Sequence, residues 1–277
     1  MAIKSQLEEG IWRSDVYYQM ANKGSQDYSH PGMVLLKSVA QKSDHILDFG
    51  CGEGTRLNWV SKNSKGSLGL DISQKGLELA RKKYPKLSFK KADLEKVPLP
   101  DEGFDLVYSA YVLEHLTYPE KVLKEAIRLL KPNGYLLLIA PNYGAPNRCS
   151  PPFIGSRQKK LIKSFIRDIS YSSSAARSKF PWPADKSNNY ALNWNKVTPI
   201  ATSDKYDVDW DTTIEPYIGS LAAFLKSHSM KIIQANSCWS QELPTARPHQ
   251  KLFRFLGEKK IYPFKYWGPH LVLLAQK

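Results

Sequence analysis

Cysteine is scarce in this chain: there are three in 277 residues (Cys51, Cys149 and Cys238), widely spaced and with no C-x-x-C pair. An odd number at such spacings writes neither a disulfide framework nor a structural zinc site, so reduced thiols are expected. Long apolar runs are missing as well. No segment approaches the roughly 18 consecutive apolar residues of a membrane span, and the first thirty residues lack the apolar stretch of a secretory leader, so the chain reads as cytoplasmic. Acidic residues are the third shortage, 26 Asp and Glu against 40 Lys and Arg, for a net charge of +14. The rest is ordinary globular composition, 42% hydrophobic, 24% charged and 12% aromatic, which excludes a stapled mini-protein, a coiled-coil rod and wholesale disorder. One large or two small domains remain.

The charge excess is lopsided. Residues 1–141 carry 20 Lys and Arg against 17 Asp and Glu, a balance of +3, whereas residues 142–277 carry 20 against 9, a balance of +11. The second half therefore faces an anionic partner (a phosphate-bearing substrate, a membrane surface or a nucleic acid) or presents a solvated basic surface.

Between His45 and Asn142 short apolar runs alternate with helix-period stretches, the pattern of βαβ units in a mostly parallel sheet. HILDF (45–49), SLGLD (67–71), LSFKKAD (87–93), FDLVYSA (104–110) and YLLLIAPN (135–142) read as the first five strands. Helices are expected over GEGTRLNWVSK, over SQKGLELARKKY with Ser73 as N-cap, and over TYPEKVLKEAIRLLKPNG, where Pro119 opens the helix and Pro132 with Gly134 stops it. Residues 143–229 contain no nameable strand. There, 156–169 reads as a basic amphipathic helix, 170–194 as a polar loop of the length that serves as a lid, and Pro216 to His228 as a further helix. MKIIQAN (230–236) and HLVLLAQ (270–276) read as two closing strands.

The strongest chemical signal is HILDFGCGEGTRL, in which a strand carrying Asp48 runs into Gly50-Cys51-Gly52-Glu53-Gly54 at a helix start. Glycines accept positive φ and let a ligand approach the backbone, and a helix start offers N–H groups to an anion. The spacing is G-x-G-x-G, one residue short of the dinucleotide fingerprint. Asp71 ends the second strand, where an acid in a nucleotide-binding βαβ unit accepts from ribose hydroxyls. Asp93 follows the third strand, placed to accept from an adenine amino group with Leu94 beside the ring. One strand-end aspartate is usually a cap or turn residue; three at consecutive strand ends point to a nucleoside ligand.

The segments LDFGCGEG, GLDIS, KADLEKVPLPDEGFDLVYSAYVLEHL and LLKPNGYLLLIAPN, in that order over the first half, resemble the class I S-adenosylmethionine-dependent methyltransferases, in particular the type 11 and quinone-biosynthesis group. The resemblance implies an α/β fold: a Rossmann-like, seven-stranded, mostly parallel sheet with helices on both faces, an antiparallel last strand and a long helical or loop insertion between strands five and six. It implies S-adenosylmethionine as cofactor and S-adenosylhomocysteine as product. Gly50 and Gly52 would lie against the methionine part with Cys51 and Ile72 alongside, Asp71 on the ribose, Asp93 and Leu94 on the adenine, and Ser109 near the methionine amine, while Asp48 shapes the loop. The corresponding organisation is a helical cap over 1–44, a cofactor-binding core over 45–142, an acceptor-binding insertion over 143–229 and sheet-completing strands over 230–277.

The chemistry that follows is in-line displacement, which the protein serves mainly by positioning and desolvating. His115, after the fourth strand, is the first candidate base for a hydroxyl acceptor, against a purely local packing role. His30, with Tyr28, would reach the same pocket from the N-terminal cap, whereas His249 and His270 are expected to be structural. Asp207, Asp209 and Asp211 alternate; a divalent metal or a substrate hydroxyl is one use, a solvated turn the commoner one, and no metal is expected. Trp182, Trp194, Trp210, Trp239 and Trp267 offer rings for stacking on an acceptor, or core filling. The acceptor is expected to be a small molecule, glycan or lipid-linked compound, anionic and methylated on oxygen. RNA methylation is the weaker alternative, for want of an RNA-binding module. A non-catalytic, cofactor-binding peripheral membrane protein anchored at the inner membrane by 156–169 is another.

Overall fold

Residues 45–141 form strands and helices in the expected alternation because apolar side chains recur with period two in the strands and three to four in the helices. The computed structural model describes residues 3–145, 147–156, 192, 194–200, 209–239 and 248–277. Seven strands, β1 (His45–Phe49), β2 (Gly66–Asp71), β3 (Ser88–Lys91), β4 (Phe104–Ala110), β5 (Leu130–Pro141), β6 (Lys231–Cys238) and β7 (His270–Gln276), make one sheet. Their order is 3-2-1-4-5-7-6; β1 to β5 pair in parallel, and β7 runs antiparallel to both β5 and β6. This is the Rossmann-like arrangement implied by the motifs.

Alternation along each strand feeds two cores. On one face Ile46, Leu106, Tyr108, Leu137, Ile139 and Leu274 pack under α3 (Pro31–Ala40), α4 (Thr55–Val60) and α5 (Gln74–Lys83). On the other, Leu47, Phe49, Val107, Leu136, Leu138 and Leu273 pack under α6 (Pro119–Leu129) and α8 (Ile218–Ser227). Most of these side chains are fully buried, and truncating one such leucine to alanine costs about 2–5 kcal/mol. Ser73 caps α5 by accepting from the Gly76 N–H, and Pro119 occupies the first turn of α6, both as expected.

α6 ends sooner than its sequence suggests. Pro132 lacks the N–H a helix needs and pushes Lys131 out of the helical region, so the chain is already extended at Leu130, which pairs with Phe104. Four elements precede the sheet: α3 on its face, and before it α1 (Ile3–Glu9), a short 3-10 turn at Ile11–Arg13 and α2 (Asp15–Ser25), which lie over the carboxyl ends of the strands. After β5, α7 (Pro151–Ser156) is described, and so is a two-residue antiparallel ladder joining Asn195–Lys196 to Ile214–Glu215. α9 (Pro248–Glu258) separates β6 from β7. The expected helix over 156–169 beyond its first residue, most of the loop over 170–194, Trp182 and Asp207 lie outside the described residues. Among the described residues no helix is long and apolar enough to cross a membrane.

One expectation for the second half changes and another holds. The stretch around Asp209 and Asp211 is no solvated turn: Asp211 is fully buried, and Trp12 Nε1 donates to its Oδ2 at 2.8 Å. Trp194, Trp239 and Trp267 are buried, and Trp210 packs against Leu7 and Ile11, so the described tryptophans of this half serve packing.

Candidate active site

The first turn after β1 is built from backbone. Gly50 and Cys51 both donate their N–H to Leu70 O at 2.9 Å, which folds the loop over the end of β2. Gly50 holds φ +100, and a Cβ there would sit 2.4 Å from Val112 Cγ2, so no side chain fits. Gly52 also has positive φ, +51, but a Cβ there would meet nothing within 4 Å: its missing side chain opens onto the cavity. Asp71 fixes this shape. Its Oδ2 accepts from Gly52 N and its Oδ1 from Ser73 N, both at 2.8 Å. Burial raises the Asp71 pKa while these backbone donors pull the other way.

A cavity of about 820 Å³ runs over the strand ends. Gly50, Cys51, Gly52, Asp71, Ile72, Asp93 and Leu94 all line it, together with His30 and His115. The N-terminal cap forms its roof through Trp12, Tyr17 and Tyr18. Tyr18 donates to Ser73 Oγ at 2.5 Å and Ser73 Oγ donates to Trp12 O, tying the cap to the start of α5. At the far end of the roof Lys4 Nζ lies 2.5 Å from Asp93 Oδ2. Burial alone would raise the Asp93 pKa, but Lys4 and the Glu95 N–H outweigh it and hold this carboxylate below its usual range.

Two predicted contacts are not in the cavity. Asp48 shares the strand face of Ile46, beneath the helices, where Tyr108 donates to its Oδ2 at 2.6 Å; burial, the largest effect, pushes its pKa up to about 7. Ser109 is buried and donates to Phe49 O at 2.8 Å, so its hydroxyl braces β1 against β4 instead of facing a ligand. Neither lines the cavity, for one reason: the strand period turns them into the layers and away from the strand tips. Tyr28 stacks on Trp59, centroids 4.5 Å apart, and does not line the cavity.

Beyond β4 the chain places a cluster of ionisable groups. His115 Nδ1 lies 3.2 Å from Asp211 Oδ2 and 3.3 Å from Asp211 O, and its Nε2 lies 3.7 Å from Glu114 Oε1. Burial, the largest effect, opposes a charged imidazole here, but Asp211, Glu114 and Asp209 together overcome it and push the pKa up to about 9. These acids favour the charged imidazole, which donates a proton more readily than it accepts one. Glu114 is the unusual member: it is completely buried, lines the cavity, and neither carboxylate oxygen has a hydrogen-bond partner. Its pKa is pushed up to about 8, chiefly by burial, with His115 opposing. Tyr143 donates to Asp209 Oδ2 at 2.5 Å on the cavity wall.

His30 lines the cavity with both ring nitrogens engaged, Nδ1 accepting from Gly32 N at 3.0 Å and Nε2 lying 3.1 Å from His270 Nδ1. His270, expected to be structural, faces the cavity too. Sequence reasoning also missed Glu114, Arg56, Tyr143, Arg148 and the cap residues. Only Glu114 carried a local signal, an acid inside the apolar run YVLEHL. Arg56 lies over the Tyr111 ring, 5.0 Å from its centroid, and donates to Ala110 O. Among the described residues no group of three acids, histidines or cysteines is arranged to hold a metal ion.

A parallel sheet of this order, with a glycine turn after β1 and acids after β2 and β3, defines a nucleoside-binding α/β protein whose ligand lies across the strand ends. Comparison with known proteins narrows the class. Residues 47–138 match the family described as the methyltransferase domain. A malonyl-acyl-carrier-protein O-methyltransferase of Marinomonas sp. is 26% identical over 159 residues, 54% of this chain and 59% of that protein. A demethylmenaquinone methyltransferase of Chlamydia trachomatis is 37% identical over 105 residues, 36% of this chain and 46% of that protein. The chain therefore spans about half the length of these relatives. A solved Listeria monocytogenes protein assigned as an S-adenosylmethionine-dependent methyltransferase shares the fold, with TM-score 0.53 and 16% identity over 88% of this chain and 95% of its own. The chain carries a class I S-adenosylmethionine-dependent methyltransferase domain, and the cofactor of that class is S-adenosylmethionine.

The lining residues suit that cofactor. The opening at Gly52 admits a ligand against bare backbone, Asp71 stands where a ribose is held, and acids dominate the wall: seven Asp and Glu against four Lys and Arg among the described lining residues, which favours a sulfonium cation.

Proposed function

We propose that this chain transfers a methyl group from S-adenosylmethionine to a hydroxyl oxygen of a small-molecule, glycan or lipid-linked acceptor, and that Glu114 receives the hydroxyl proton. The observation that carries the reading is a fully buried carboxylate whose two oxygens have no partner, on a residue set just behind the wall of the cavity that the strand-end acids also line. A buried carboxylate with no hydrogen bond costs about 1–3 kcal/mol or more, a cost that an incoming O–H donor offsets.

Bound in the cavity, the cofactor supplies a methyl carbon on a sulfonium leaving group. The chain does the rest. Gly50 and Gly52 let the methionine end lie against backbone, Asp71 accepts from the ribose, Asp93 and Leu94 meet the adenine, and the Arg56 guanidinium offers a partner for the cofactor carboxylate. His115, kept charged by Asp211, stands beside Glu114 and favours its carboxylate form against the burial that pushes its pKa up to about 8, so the fraction able to take up a proton grows as pH rises through 8. Trp12, Tyr17 and Tyr143 exclude water around the pair. Tyr143, Asn147, Arg148 and Asp209, all from the described flanks of the insertion, line the cavity beyond β4 and β5, which supports the insertion as the acceptor-binding element.

The test uses labelled-methyl transfer from S-adenosylmethionine into fractionated cell extract. Wild type labels a compound that Glu114→Gln labels about 10²–10⁴ times more slowly, while affinity for S-adenosylhomocysteine stays within about threefold. Equal rates for the two proteins would leave positioning alone as the source of catalysis and remove Glu114 from the chemistry.

A further inference from the structure

His30 and His270 come from opposite ends of the chain, one capping α3 and the other opening β7, yet their rings meet at 3.1 Å with their centroids 5.1 Å apart. The donors in this contact follow from one fixed point. The Gly32 N–H can only donate, so His30 Nδ1, 3.0 Å away, carries a lone pair. Burial lowers the His30 pKa, and burial with the neighbouring His30 and Arg148 brings His270 down to about 3, so both rings are neutral at pH 7. A neutral ring with a bare Nδ1 is protonated on Nε2. His30 therefore donates from Nε2 to His270 Nδ1, and His270 must in turn carry its own proton on Nε2.

That last N–H is the output of the relay. His270 lines the cavity, and its Nε2 meets no protein acceptor there and keeps accessible surface. It is thus open to the cavity. The contact is also sterically built. A Cβ on Gly32 would come to 3.0 Å from Ile139 Cδ1 and Val272 Cγ2 and 3.1 Å from His30 Nδ1, so a larger residue at the start of α3 would press on these side chains and on the His30 ring. Tyr111, the residue after β4, holds φ +61 and sets its ring edge-on to both imidazoles. The charges around the pair are Arg56 and Arg148, each of which disfavours a charged imidazole, and Asp27, whose carboxylate is held by the Ser29 N–H and hydroxyl.

We infer that the His30–His270 relay, flanked by Arg148, forms an acceptor subsite in which the His270 Nε2–H binds an oxyanion, a carboxylate or phosphate carried by the acceptor. This rests on the methyltransferase reading for its meaning as an acceptor subsite. β7 lies two strand spacings beyond β4, about 10 Å, so the oxyanion sits on the part of the acceptor remote from the hydroxyl that Glu114 faces. His30 is a positioning residue: it touches no ligand and sets which nitrogen of His270 bears the proton.

The experiment uses the full chain with ¹⁵N-labelled histidine and long-range proton–nitrogen correlation at pH 7. Both His30 and His270 are expected as the Nε2–H tautomer. Inorganic phosphate and sodium acetate are then titrated separately, with sodium chloride at matched ionic strength as control. At least one of the two oxyanions should shift the His270 Nε2 signal saturably; tighter phosphate binding assigns a phosphorylated acceptor, and tighter acetate binding a carboxylated one. His270→Phe should weaken that binding at least tenfold. His30→Phe should weaken it and let His270 populate both tautomers, while His30→Gln, whose amide N–H still donates to His270 Nδ1, should restore most of it. His270 protonated on Nδ1 in the wild type, or an Nε2 signal that neither oxyanion moves, overturns the subsite. Calorimetry with S-adenosylhomocysteine separates the two claims: loss of that binding in the wild type would sink the methyltransferase reading, whereas normal binding with a silent His270 would sink this inference alone.

Discussion

Replacing Asp71 probes the cofactor site most directly, because its two oxygens hold the glycine turn as well as facing the cavity. Oδ2 accepts from Gly52 N and Oδ1 from Ser73 N, each at 2.8 Å, so Asp71→Asn turns one of these contacts into donor against donor and removes the charge offered to a ribose. A hydrogen bond to a charged group is worth about 1.5–3 kcal/mol. A loss near the lower end, about 2 kcal/mol, weakens binding about 30-fold. Asp71→Ala removes both acceptors, strands the Gly52 N–H and frees the turn, so the loss rises to about 3–4 kcal/mol, several hundredfold in affinity. The assay is isothermal calorimetry with S-adenosylhomocysteine at fixed ionic strength, paired with ligand-free thermal unfolding. An Asn variant that binds within threefold of wild type would refute the role of Asp71 as ribose acceptor and leave it as a clamp for the turn. A lowered ligand-free melting temperature with unchanged affinity would say the same.

Other consequences are as direct. His115 and Glu114 have folded-state pKa values pushed up to about 9 and about 8 from 6.5 and 4.5, so the folded protein binds more protons than the unfolded chain. The stability His115 contributes is complete below pH 6.5 and lost as pH rises to 9; that of Glu114 is lost between 4.5 and 8. Stability against thermal unfolding should therefore fall between pH 4.5 and 8 through Glu114 and between pH 6.5 and 9 through His115, with a slope of up to about 1.4 kcal/mol per pH unit for each group, and His115→Asn should flatten the upper part; a flat wild-type profile refutes the pairing of His115 with its acids. Gly50→Ala forces a Cβ to 2.4 Å from Val112 at φ +100 and should cost about 3 kcal/mol or more, read as a lower melting temperature together with lost S-adenosylhomocysteine binding. Lys4→Ala breaks a pair whose Asp93 partner is half exposed, so S-adenosylhomocysteine affinity should change less than about threefold in calorimetry; a larger loss would give Lys4 a direct part in the site.

The parts of the structure readable in advance are those whose cause is local. The order of strands and helices followed from period and proline, and β1, β4 and β7 begin and end where their apolar runs do, whereas β5 starts five residues before its expected bound because Pro132 ends α6 early. The strand-end acids were legible for the same reason: a strand tip is a place defined by the chain next to it. Ser109 and Asp48 show the limit of that logic, since lying within one residue of a tip does not decide which face a side chain takes. What stayed hidden are pairings set only by the tertiary fold. Trp12 and His115 both meet Asp211, Lys4 meets Asp93, and His30 meets His270 across 240 positions of sequence. No periodicity announces such partners, and each changes the chemistry of the residue it touches.

Net charge illustrates the same limit at the scale of the whole molecule. The chain is +14, with most of the excess in its second half, which suggests an anionic acceptor held by a basic face. Yet the described cavity wall has seven carboxylates to four basic side chains, and the carboxylate nearest the reacting end is unpartnered. Overall charge sets the long-range field that guides encounter, whereas affinity within a desolvated site depends on groups a few ångströms away, where the effective dielectric is low. The two need not agree in sign. A sulfonium cofactor and an ionising hydroxyl require acids close at hand, while an anionic tail on the acceptor requires donors further off. On the proposed reading the strand order supplies both, with Asp71, Glu114 and His270 at the ends of β2, β4 and β7, every second strand across the carboxyl end of the parallel sheet. On that reading the strand ends set the polarity of the site locally, and the composition of the chain carries only its average.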